Sequence, residues 1–467
     1  MIPTSDTSDT SGLFDTIAAV ATGAVTSAVG IVRLSGPAAI EIASRVFAPV
    51  SGKSLSGCRD RCLVLGELRD ADGALIDRCL CAVSRAPNSY TGENTAELQC
   101  HGSPTVLRLT LEALFHCGAR QAFPGEFTKR AFLNGRMDLT RAEAVIDLID
   151  AETGEAARNA AGQLGGAILR RTDTVYAGLV DIISHYHAVL DYPDEDIDEF
   201  HIEAYEKALE RAGETLEKLL ATFARGRVMK DGVRAVIVGK PNVGKSSLLN
   251  ALVGFDRAIV TAVPGTTRDT VEECISLRGI KLRLSDTAGL RGTRDPVESL
   301  GVERALQAAA SADLALAVFD GSEPFSDEDE AVIRAAGTAG HAVAVINKTD
   351  LPRRLDSSAI ERGFETVLHV SARGKTGLDA LDSAISALYP LPGVPIGEIL
   401  TNARHADAAG RALASIKEAA AALRTGATPD IILTEIETAL AALGELSGKT
   451  VRDDVVKRIF ERFCVGK

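Results

Sequence analysis

No apolar run in this 467-residue sequence approaches the length needed to cross a bilayer, which excludes a membrane-spanning protein. Residues 1–11 lack the basic start and apolar core of a signal peptide. A net positive charge is also missing. The formal charge of −13 excludes a generally basic nucleic-acid coat, so any contact with RNA would have to use a local patch. These absences favour a cytoplasmic globular protein without membrane association.

Zinc-finger spacing is missing as well, although the chain contains eight cysteines. The spacings C-x-x-x-C and C-x-C do not repeat a zinc-finger ligand pattern. Without secretory context, we expect reduced thiols that pack as small buried hydrophobic side chains. The cysteines in the first quarter of the chain are Cys58, Cys62, Cys79, Cys81, Cys100 and Cys117.

The most informative motif that is present is a complete G-x-x-x-x-G-K-[ST] phosphate loop at residues 239–246. A strand-like run, residues 233–238, enters it, and a helical run leaves it, which is the context that the motif requires. Gly239 and Gly244 allow backbone N–H groups to surround a polyphosphate, Lys245 reaches the β and γ phosphates, and Ser246 faces Mg²⁺. The chain is therefore predicted to bind a nucleoside triphosphate.

Later motifs at the ends of strand-like runs specify the base and the metal side. Residues 286–289 read Asp-Thr-Ala-Gly, residues 347–350 read Asn-Lys-Thr-Asp, and residues 371–373 read Ser-Ala-Arg. Asp350 can accept hydrogen bonds from the ring N–H and amine of guanine, a donor pair that adenine lacks, so GTP is predicted. The residues predicted to contact the nucleotide from these motifs are Asn242, Val243, Gly244, Lys245, Ser246, Ser247, Asp286, Thr287, Ala288, Gly289, Asn347, Lys348, Asp350, Ser371, Ala372 and Arg373.

Sequence patterns predict a multidomain chain. Short strand patterns at residues 28–34, 79–84 and 95–100, with a helix near residues 105–117, predict an N-terminal α+β domain. Helical periodicity then predicts an all-α domain in two parts. The second part is too short to fold alone and is expected to pack on the first. The Ras-like α/β P-loop GTPase domain between them is therefore expected to be an insertion. The expected boundaries are 1–134 for the α+β domain, 135–227 and 393–467 for the helical domain, and 228–392 for the GTPase domain.

Motifs outside the phosphate loop carry a resemblance to a known family. They include Gly-Ile-Val-Arg-Leu-Ser-Gly at residues 30–36, Ser-Tyr-Thr-Gly-Glu at 89–93, Glu-Leu-Gln-Cys-His-Gly at 97–102 and Phe-Cys-Val-Gly-Lys at 463–467. Further matching segments are residues 124–128 and 131–135. Over essentially its whole length the chain closely resembles the bacterial tRNA wobble-uridine modification GTPases of the MnmE (TrmE) family.

The resemblance implies an enzyme that works with a flavin protein. The α+β domain would bind a one-carbon tetrahydrofolate in its methylene or formyl form. The chain would form a homodimer and, with an FAD-dependent MnmG (GidA) family protein, a heterotetramer. Together they would add an aminomethyl-type group, carboxymethylaminomethyl, to carbon five of a wobble uridine in tRNA. By motif, the folate-binding residues would be Arg33, Glu97, Arg136 and Lys467.

Two of these assignments carry alternatives. Family members often have lysine where Arg136 stands, which keeps the charge and changes its geometry. Cys464 would be active in tRNA modification, as nucleophile or as acid–base group, while a thiol at a helix end also packs as a small hydrophobic residue.

Hydrolysis must proceed without one familiar residue. Leu290 follows the Asp-Thr-Ala-Gly motif, where small regulatory GTPases place a glutamine that orients water. The resemblance implies that K⁺ supplies the missing positive charge and that Glu298 orients the water. It assigns K⁺ to Asn242, Thr261, Val263 and Thr266, and Mg²⁺ to Ser246 and Thr267, which brings Thr261, Thr266 and Thr267 into the nucleotide site.

A second function class stays open at this point. A molecular switch could use its GTP cycle to gate binding to RNA or ribosomes without covalent chemistry of its own. Cys464 and Lys467 distinguish the two, because a pure switch has no need of a terminal thiol beside a one-carbon carrier. The residues do not identify the tRNAs, or whether ammonium or glycine donates the nitrogen.

Overall fold

The computed structural model describes residues 15–23, 25–191, 202–255, 273–277, 280–284, 306–389, 395–451 and 453–467. The chain forms two compact units. The first consists of Met1–Ile146 with Gly444–Lys467, and the second of Asp147–Leu443. No helix in the described part of the chain combines the length and apolar character that a membrane crossing requires.

A seven-stranded sheet is the centre of the first unit, in the order β3-β4-β5-β6-β2-β1-β7. Neighbouring strands run antiparallel except for the parallel pair β1 and β7. Helices α1 and α2 cover one face of the sheet. Along β5 and β6, buried residues alternate with partly exposed ones, because successive side chains point to opposite faces. The elements are β1 (Ile17–Val20), β2 (Ser27–Ser35), α1 (Ala39–Val46), β3 (Phe47–Pro49), β4 (Leu63–Arg69), β5 (Leu75–Ser84), β6 (Thr95–Gly102), α2 (Pro104–His116), β7 (Arg120–Gln121) and α3 (Glu126–Leu133).

The strands predicted at residues 28–34, 79–84 and 95–100 are confirmed as β2, β5 and β6, and the predicted helix is α2. Strand β4 was not predicted. Its Leu63 and Leu65 are exposed while Gly66 and Leu68 are buried, so the hydrophobic alternation that identifies a strand is obscured. The other strands of this seven-stranded sheet that the patterns missed, β1, β3 and β7, are at most four residues long.

The helices before the nucleotide domain are α4 (Leu139–Ile149), α5 (Gly154–Leu164), α6 (Ala167–Asp191), α7 (Ile202–Leu220) and α8 (Phe223–Asp231). Thr153 caps α5 by accepting a hydrogen bond from the Ala156 N–H. Helix α7 has a strongly one-sided pattern of buried residues and packs against α6.

The second unit contains a six-stranded sheet in the order β13-β12-β11-β8-β10-β9, parallel except for the edge strand β9. All residues of β11 are buried, as expected for a strand covered on both faces. The predicted α/β fold is therefore found. Its elements are β8 (Val233–Val238), α9 (Lys245–Phe255), β9 (Glu273–Leu277), β10 (Ile280–Leu284), β11 (Leu314–Asp320), α10 (Asp327–Ala336), β12 (His341–Asn347), α11 (Ser358–Gly363), β13 (Val367–His369) and α12 (Leu378–Leu388).

After the nucleotide domain the chain returns to the earlier helices. The Asn159 and Gln163 amides of α5 donate to the Ile399 carbonyl at 3.1 and 2.7 Å. Thr222 accepts from the Leu400 N–H at 2.9 Å. Three helices follow, α13 (Ala403–Arg424), α14 (Pro429–Ser447) and α15 (Asp453–Phe460), and α13 packs along α7. The segments that precede and follow the α/β sheet in sequence therefore contact each other.

Candidate functional site

The phosphate loop lies between β8 and α9, at the carboxyl end of the strand that has β10 on one side and β11 on the other. Gly244 has a φ of +96°, and a Cβ there would lie 2.3 Å from the Asn347 Nδ2 atom, so the position requires glycine. The Lys245 ammonium donates to the carbonyls of Gly239 and Lys240 at 2.7 and 2.8 Å, and burial lowers its pKa. These hydrogen bonds join the Lys245 side chain to the start of its own loop, and helix α9 begins at Lys245.

Asn347 connects the phosphate loop to the base-binding loop. Its Nδ2 donates to the Val243 carbonyl at 2.9 Å, and its Oδ1 accepts from the Ala372 N–H at 3.0 Å. The side chain is 2% exposed. Because both bonds are buried, they fix the distance between two predicted contact segments that are far apart in sequence.

Asp350 is held as a hydrogen-bond acceptor at the same edge of the sheet. The Ser371 hydroxyl donates to Asp350 Oδ1 at 2.6 Å and itself accepts from the Gly374 N–H at 2.9 Å. The hydrogen bond from Ser371 lowers the pKa of Asp350. Nearby, the Lys348 ammonium pairs with Asp320 at 2.5 Å. An ionised Asp350 suits the donor edge of guanine.

The structure thus brings together Gly244, Lys245, Asn347, Asp350 and the 371–373 segment. Asn242, Ser246 and Ser247 are exposed on the rim of the same loop. The remaining predicted contacts lie outside the described residues and stay predictions. They are Thr261, Val263, Thr266, Thr267, Asp286, Thr287, Ala288, Gly289 and Glu298.

One contact of the phosphate loop was missed by sequence reasoning. The Lys240 ammonium contacts Asp329 at 3.1 Å and Glu323 at 3.4 Å. Asp329 closes the capping box of α10 with Ser326. The spacing Ser-x-x-Asp before an apolar run is the signal that could have identified the box, although not its lysine partner.

In the first unit, Arg33 and Glu97 face each other on neighbouring strands. Register pairs them across β2 and β6, and Arg33 Nε donates to Glu97 Oε1 at 2.7 Å. The guanidinium carbon lies 5.6 Å from the centre of the Tyr90 ring and 5.8 Å from that of Phe127. The Arg33 guanidinium is therefore within range of cation–π attraction to both rings.

The segment after α15 runs back to the start of α3. The Phe127 N–H donates to the Lys467 carbonyl at 3.2 Å, the Gly125 N–H donates to the Cys464 carbonyl at 3.4 Å, and Pro124 bridges to Val465. The Cys464 side chain is exposed. Because Phe127 both receives this segment and packs on Arg33, the predicted residues at opposite ends of the sequence belong to one neighbourhood.

Gly466 makes that close approach possible. Its φ is +99°, and a Cβ there would lie 2.1 Å from the Val20 carbonyl oxygen of β1. The glycine between Val465 and Lys467 in the terminal signature therefore has a steric reason.

Arg136 packs on the loop that carries Tyr90. A Cβ on Gly92, whose φ is +80°, would lie 3.2 Å from the Arg136 Cγ atom. Arg136 itself is exposed. The contacts of Arg136 in the described part of the chain do not fix the direction of its guanidinium relative to Arg33.

Arg130 was not predicted, and it is 1% exposed. Its guanidinium contacts Asp15 at 2.8 Å, Glu126 at 3.0 Å and Glu93 at 3.1 Å. Glu93 in turn accepts from the Ser35 hydroxyl at 2.7 Å. This network holds the 89–93 loop to β2 and α3. Glu126 lies four residues before Arg130 on α3, a spacing that the sequence could have indicated, but Asp15 and Glu93 are distant in sequence.

These residues fit the predicted ligands by donor chemistry. Gly244 leaves no room for a side chain beside the buried amide of Asn347, and the Lys245 ammonium and helix N-terminus suit a polyphosphate. Arg33 and Glu97, together with the Tyr90 and Phe127 rings near Arg33, offer both charges and aromatic faces to a planar, polar ring system.

Comparison with known proteins adds two family matches and close relatives. Residues 16–136 match the family described as GTP-binding protein TrmE N-terminus, and residues 139–464 match the MnmE helical domain. A tRNA modification GTPase MnmE from Chloroflexus aurantiacus is 44% identical over 97% of this chain and 100% of that protein. Proteins of the same description from Roseiflexus castenholzii and Alkaliphilus oremlandii are 42% and 40% identical, each over 97% of this chain and 99% of theirs.

Proposed function

The chain belongs to the MnmE family of tRNA modification GTPases, and from this premise we propose that it adds an aminomethyl-type group, carboxymethylaminomethyl, to carbon five of wobble uridine. Membership confirms the family predicted from the sequence, the multidomain fold class, and a GTP-hydrolysing enzyme that acts in tRNA modification. We further propose a one-carbon tetrahydrofolate, in its methylene or formyl form, as the source of the added carbon.

A single observation carries the proposal. The segment containing Cys464 and Lys467 is hydrogen-bonded to the start of α3, where Phe127 packs on Arg33 of the Arg33–Glu97 pair. The backbone of the segment that carries the thiol and the lysine is thus bonded to the residue whose ring contacts the ion pair, which supports a shared site. A nucleotide switch without covalent chemistry has no use for this arrangement.

Each side chain has a task that its chemistry suits. Glu97 would accept from the donor edge of the pterin ring, while Arg33, Arg136 and Lys467 would attract the carboxylates of the folate tail. Tyr90 and Phe127, whose rings lie near Arg33, would shield the pterin ring from water. Cys464, exposed beside this group, would take part in the transfer as nucleophile or acid–base group.

On the nucleotide side, we propose Mg²⁺ held by Ser246 and Thr267 and K⁺ held by Asn242, Thr261, Val263 and Thr266. Each bound cation would offset phosphate charge during hydrolysis, since Leu290 stands where other GTPases place glutamine. Glu298 would orient the attacking water.

The reaction requires a redox partner, because building the new carbon–nitrogen substituent needs hydride chemistry that no side chain supplies. We propose an FAD-dependent protein of the MnmG (GidA) family in a heterotetramer with a homodimer of this chain. The site of action would be the cytoplasm, where the tRNA substrate is found.

The test is complementation of a strain that lacks the gene, followed by mass spectrometry of its digested tRNA. Cys464→Ser removes a thiol with little change in volume. Cys464 belongs to the first unit, whereas Lys245 and Asp350 belong to the second. We expect GTP binding and hydrolysis within about twofold of the wild type and loss of the modified wobble nucleoside.

Cys117→Ser is the matched control, a partly exposed cysteine at the end of α2 that is expected to restore modification. Wild-type levels of the modified nucleoside with Cys464→Ser would make that residue structural. The alternative, a GTPase switch in RNA or ribosome assembly, would then be favoured.

A further inference from the structure

Three side chains able to bind a metal meet in the first unit, apart from the residues assigned above. The Sγ atoms of Cys79 and Cys100 and a carboxylate oxygen of Asp77 all lie within 4.8 Å of one another. The two cysteines are 5% and 1% exposed, and the Asp77 side chain is 8% exposed. The cluster is therefore nearly closed to bulk water.

Sheet pairing produces the cluster. Register pairs Leu80 of β5 with Gln99 of β6, which sets Cys79 and Cys100 side by side as the next pair along the two antiparallel strands. Asp77 is two residues before Cys79 and so points to the same face. Sequence spacing could not indicate this site, since its ligands come from two strands.

Apolar residues close the cluster on two sides. Gly66 lies beside Cys79 on β4, and Gly30 lies beside Cys100 on β2. These glycines admit large neighbours, because a Cβ on Gly66 would lie 2.3 Å from the Phe47 ring and one on Gly30 would lie 2.8 Å from Leu107. Charges in such surroundings are weakly screened, so a cation bound there interacts strongly with its ligands.

Asp77 is already oriented by a neighbouring residue. The His101 backbone N–H donates to Asp77 Oδ2 at 2.8 Å, and the His101 ring nitrogen Nδ1 lies 2.8 Å from Oδ1. Hydrogen bonds of this kind commonly fix the carboxylates that bind metals. The Arg78 N–H also donates to Oδ1, at 2.7 Å, so a further ligand would bind through the second lone pair of Oδ2.

The partners of the Cys100 thiol are more distant: its Sγ lies 3.8 Å from the Leu98 carbonyl oxygen and 3.8 Å from the Thr110 hydroxyl, which itself donates to the Val106 carbonyl at 2.8 Å. A cation at the centre would be bound by thiolates, since metal binding deprotonates a coordinating thiol.

We propose that Asp77, Cys79 and Cys100 bind a Zn²⁺ ion, with water as a fourth ligand. Two sulfurs and one oxygen suit Zn²⁺, whereas Mg²⁺ and Ca²⁺ take oxygen ligands and Cu⁺ selects sulfur. Tetrahedral Zn²⁺ bonds place such donor atoms about 3.5 to 3.8 Å apart, so shifts of about 1 Å complete the site. The bound ion would join β5 to β6 in the middle of the sheet.

The experiment titrates the full-length, metal-free protein with Co²⁺ as a spectroscopic substitute, and then displaces it with Zn²⁺. We expect one Co²⁺ per chain with thiolate-to-cobalt charge-transfer absorption. Cys79→Ser and Cys100→Ser should each lose most of this absorption. Cys81→Ser is the matched control, because Cys81 is fully buried on the same face of β5 but lies outside the cluster. It should keep the full signal.

A second series separates ligation from folding. His101→Ala changes an exposed ring, and it should keep the absorption while weakening Co²⁺ binding about 10- to 100-fold. If the serine variants do not fold, the wild type alone tests the proposal. Zn²⁺ should raise its unfolding temperature, and a chelator should reverse the rise.

Two results would overturn the proposal. The first is a wild type that shows no charge-transfer absorption, or one that the Cys79→Ser substitution leaves unchanged. The second is a Cys79–Cys100 disulfide formed with peroxide in a protein that takes up no metal, which would make the cluster a redox pair.

Discussion

Replacing Arg130 with methionine should destabilise the first unit far more than removing an exposed ion pair from the same unit. Methionine matches the length of the arginine stem but cannot donate hydrogen bonds. The carboxylates of Asp15, Glu93 and Glu126 would then face an apolar side chain at a position that is 1% exposed. Removing one partner of a buried pair costs more than the pair itself contributes, because the other charge stays buried.

The magnitude follows from what remains. Breaking a buried charge network typically costs about 3 to 5 kcal/mol. Arg120 still contacts Asp15 at 2.5 Å and Glu126 at 2.6 Å, so we expect the lower end, about 3 kcal/mol. The control is Arg108→Met. Arg108 pairs with Glu112 on the surface of α2, with side chains 61% and 54% exposed, and its loss should cost at most about 0.5 kcal/mol.

The measurement must resolve the first unit, because a chain with several domains does not unfold in one transition. Hydrogen exchange of peptides from β2, β6 and α3, followed by mass spectrometry, reports their opening free energies directly. GTP hydrolysis should stay within about twofold of the wild type. Equal exchange in Arg130→Met and Arg108→Met would refute the reasoning.

Acid should remove the same stabilisation. Burial alone would raise the pKa of Asp15 and of Glu126, but hydrogen bonds from Arg120 and Arg130 outweigh it, so the pKa of each carboxyl is lowered. A lowered folded-state pKa contributes stability above the ordinary values of 3.8 and 4.5 and loses it as the pH falls below them. After correction for the intrinsic pH dependence of amide exchange, the opening free energy should therefore fall below pH 4.5 in the wild type, and less steeply in Arg130→Met.

The remaining predictions concern the nucleotide site. K⁺ should accelerate GTP hydrolysis and Na⁺ should not, since Leu290 replaces the water-orienting glutamine, and Asn242→Ala should abolish the difference with a loss of about a hundredfold in turnover. Equal wild-type rates in the two salts would contradict this. Glu298→Ala should keep GTP affinity and lower turnover by roughly two orders of magnitude, measured by nucleotide binding and single-turnover hydrolysis. Asp350→Asn should weaken the preference for GTP over other triphosphates in competition binding, and an unchanged preference would remove Asp350 from base recognition.

Local sequence signals predicted much of the second unit. The phosphate loop and the strand ends before Asn347 and Ser371 were placed correctly, because a parallel sheet collects the carboxyl ends of its buried strands at one edge. The first unit was harder to predict. Arg33 and Glu97 are 64 residues apart, and Arg130 and Asp15 are 115 apart, so only antiparallel pairing and the path of α3 bring them together. The resemblance named Arg33 and Glu97, while composition and periodicity did not.

The side chain of Asn347 makes contacts within the protein that its motif does not predict. The pattern Asn-Lys-Thr-Asp assigned this residue to the nucleotide site. In the structure both ends of its amide are used within the protein, by the Val243 carbonyl and the Ala372 N–H. A buried amide with two protein partners cannot give up either one without leaving a buried group unpaired. Asn347 therefore holds the phosphate loop and residues 371–373 at a fixed separation. We expect selection of guanine to depend on Asp350, which the Ser371 hydroxyl orients.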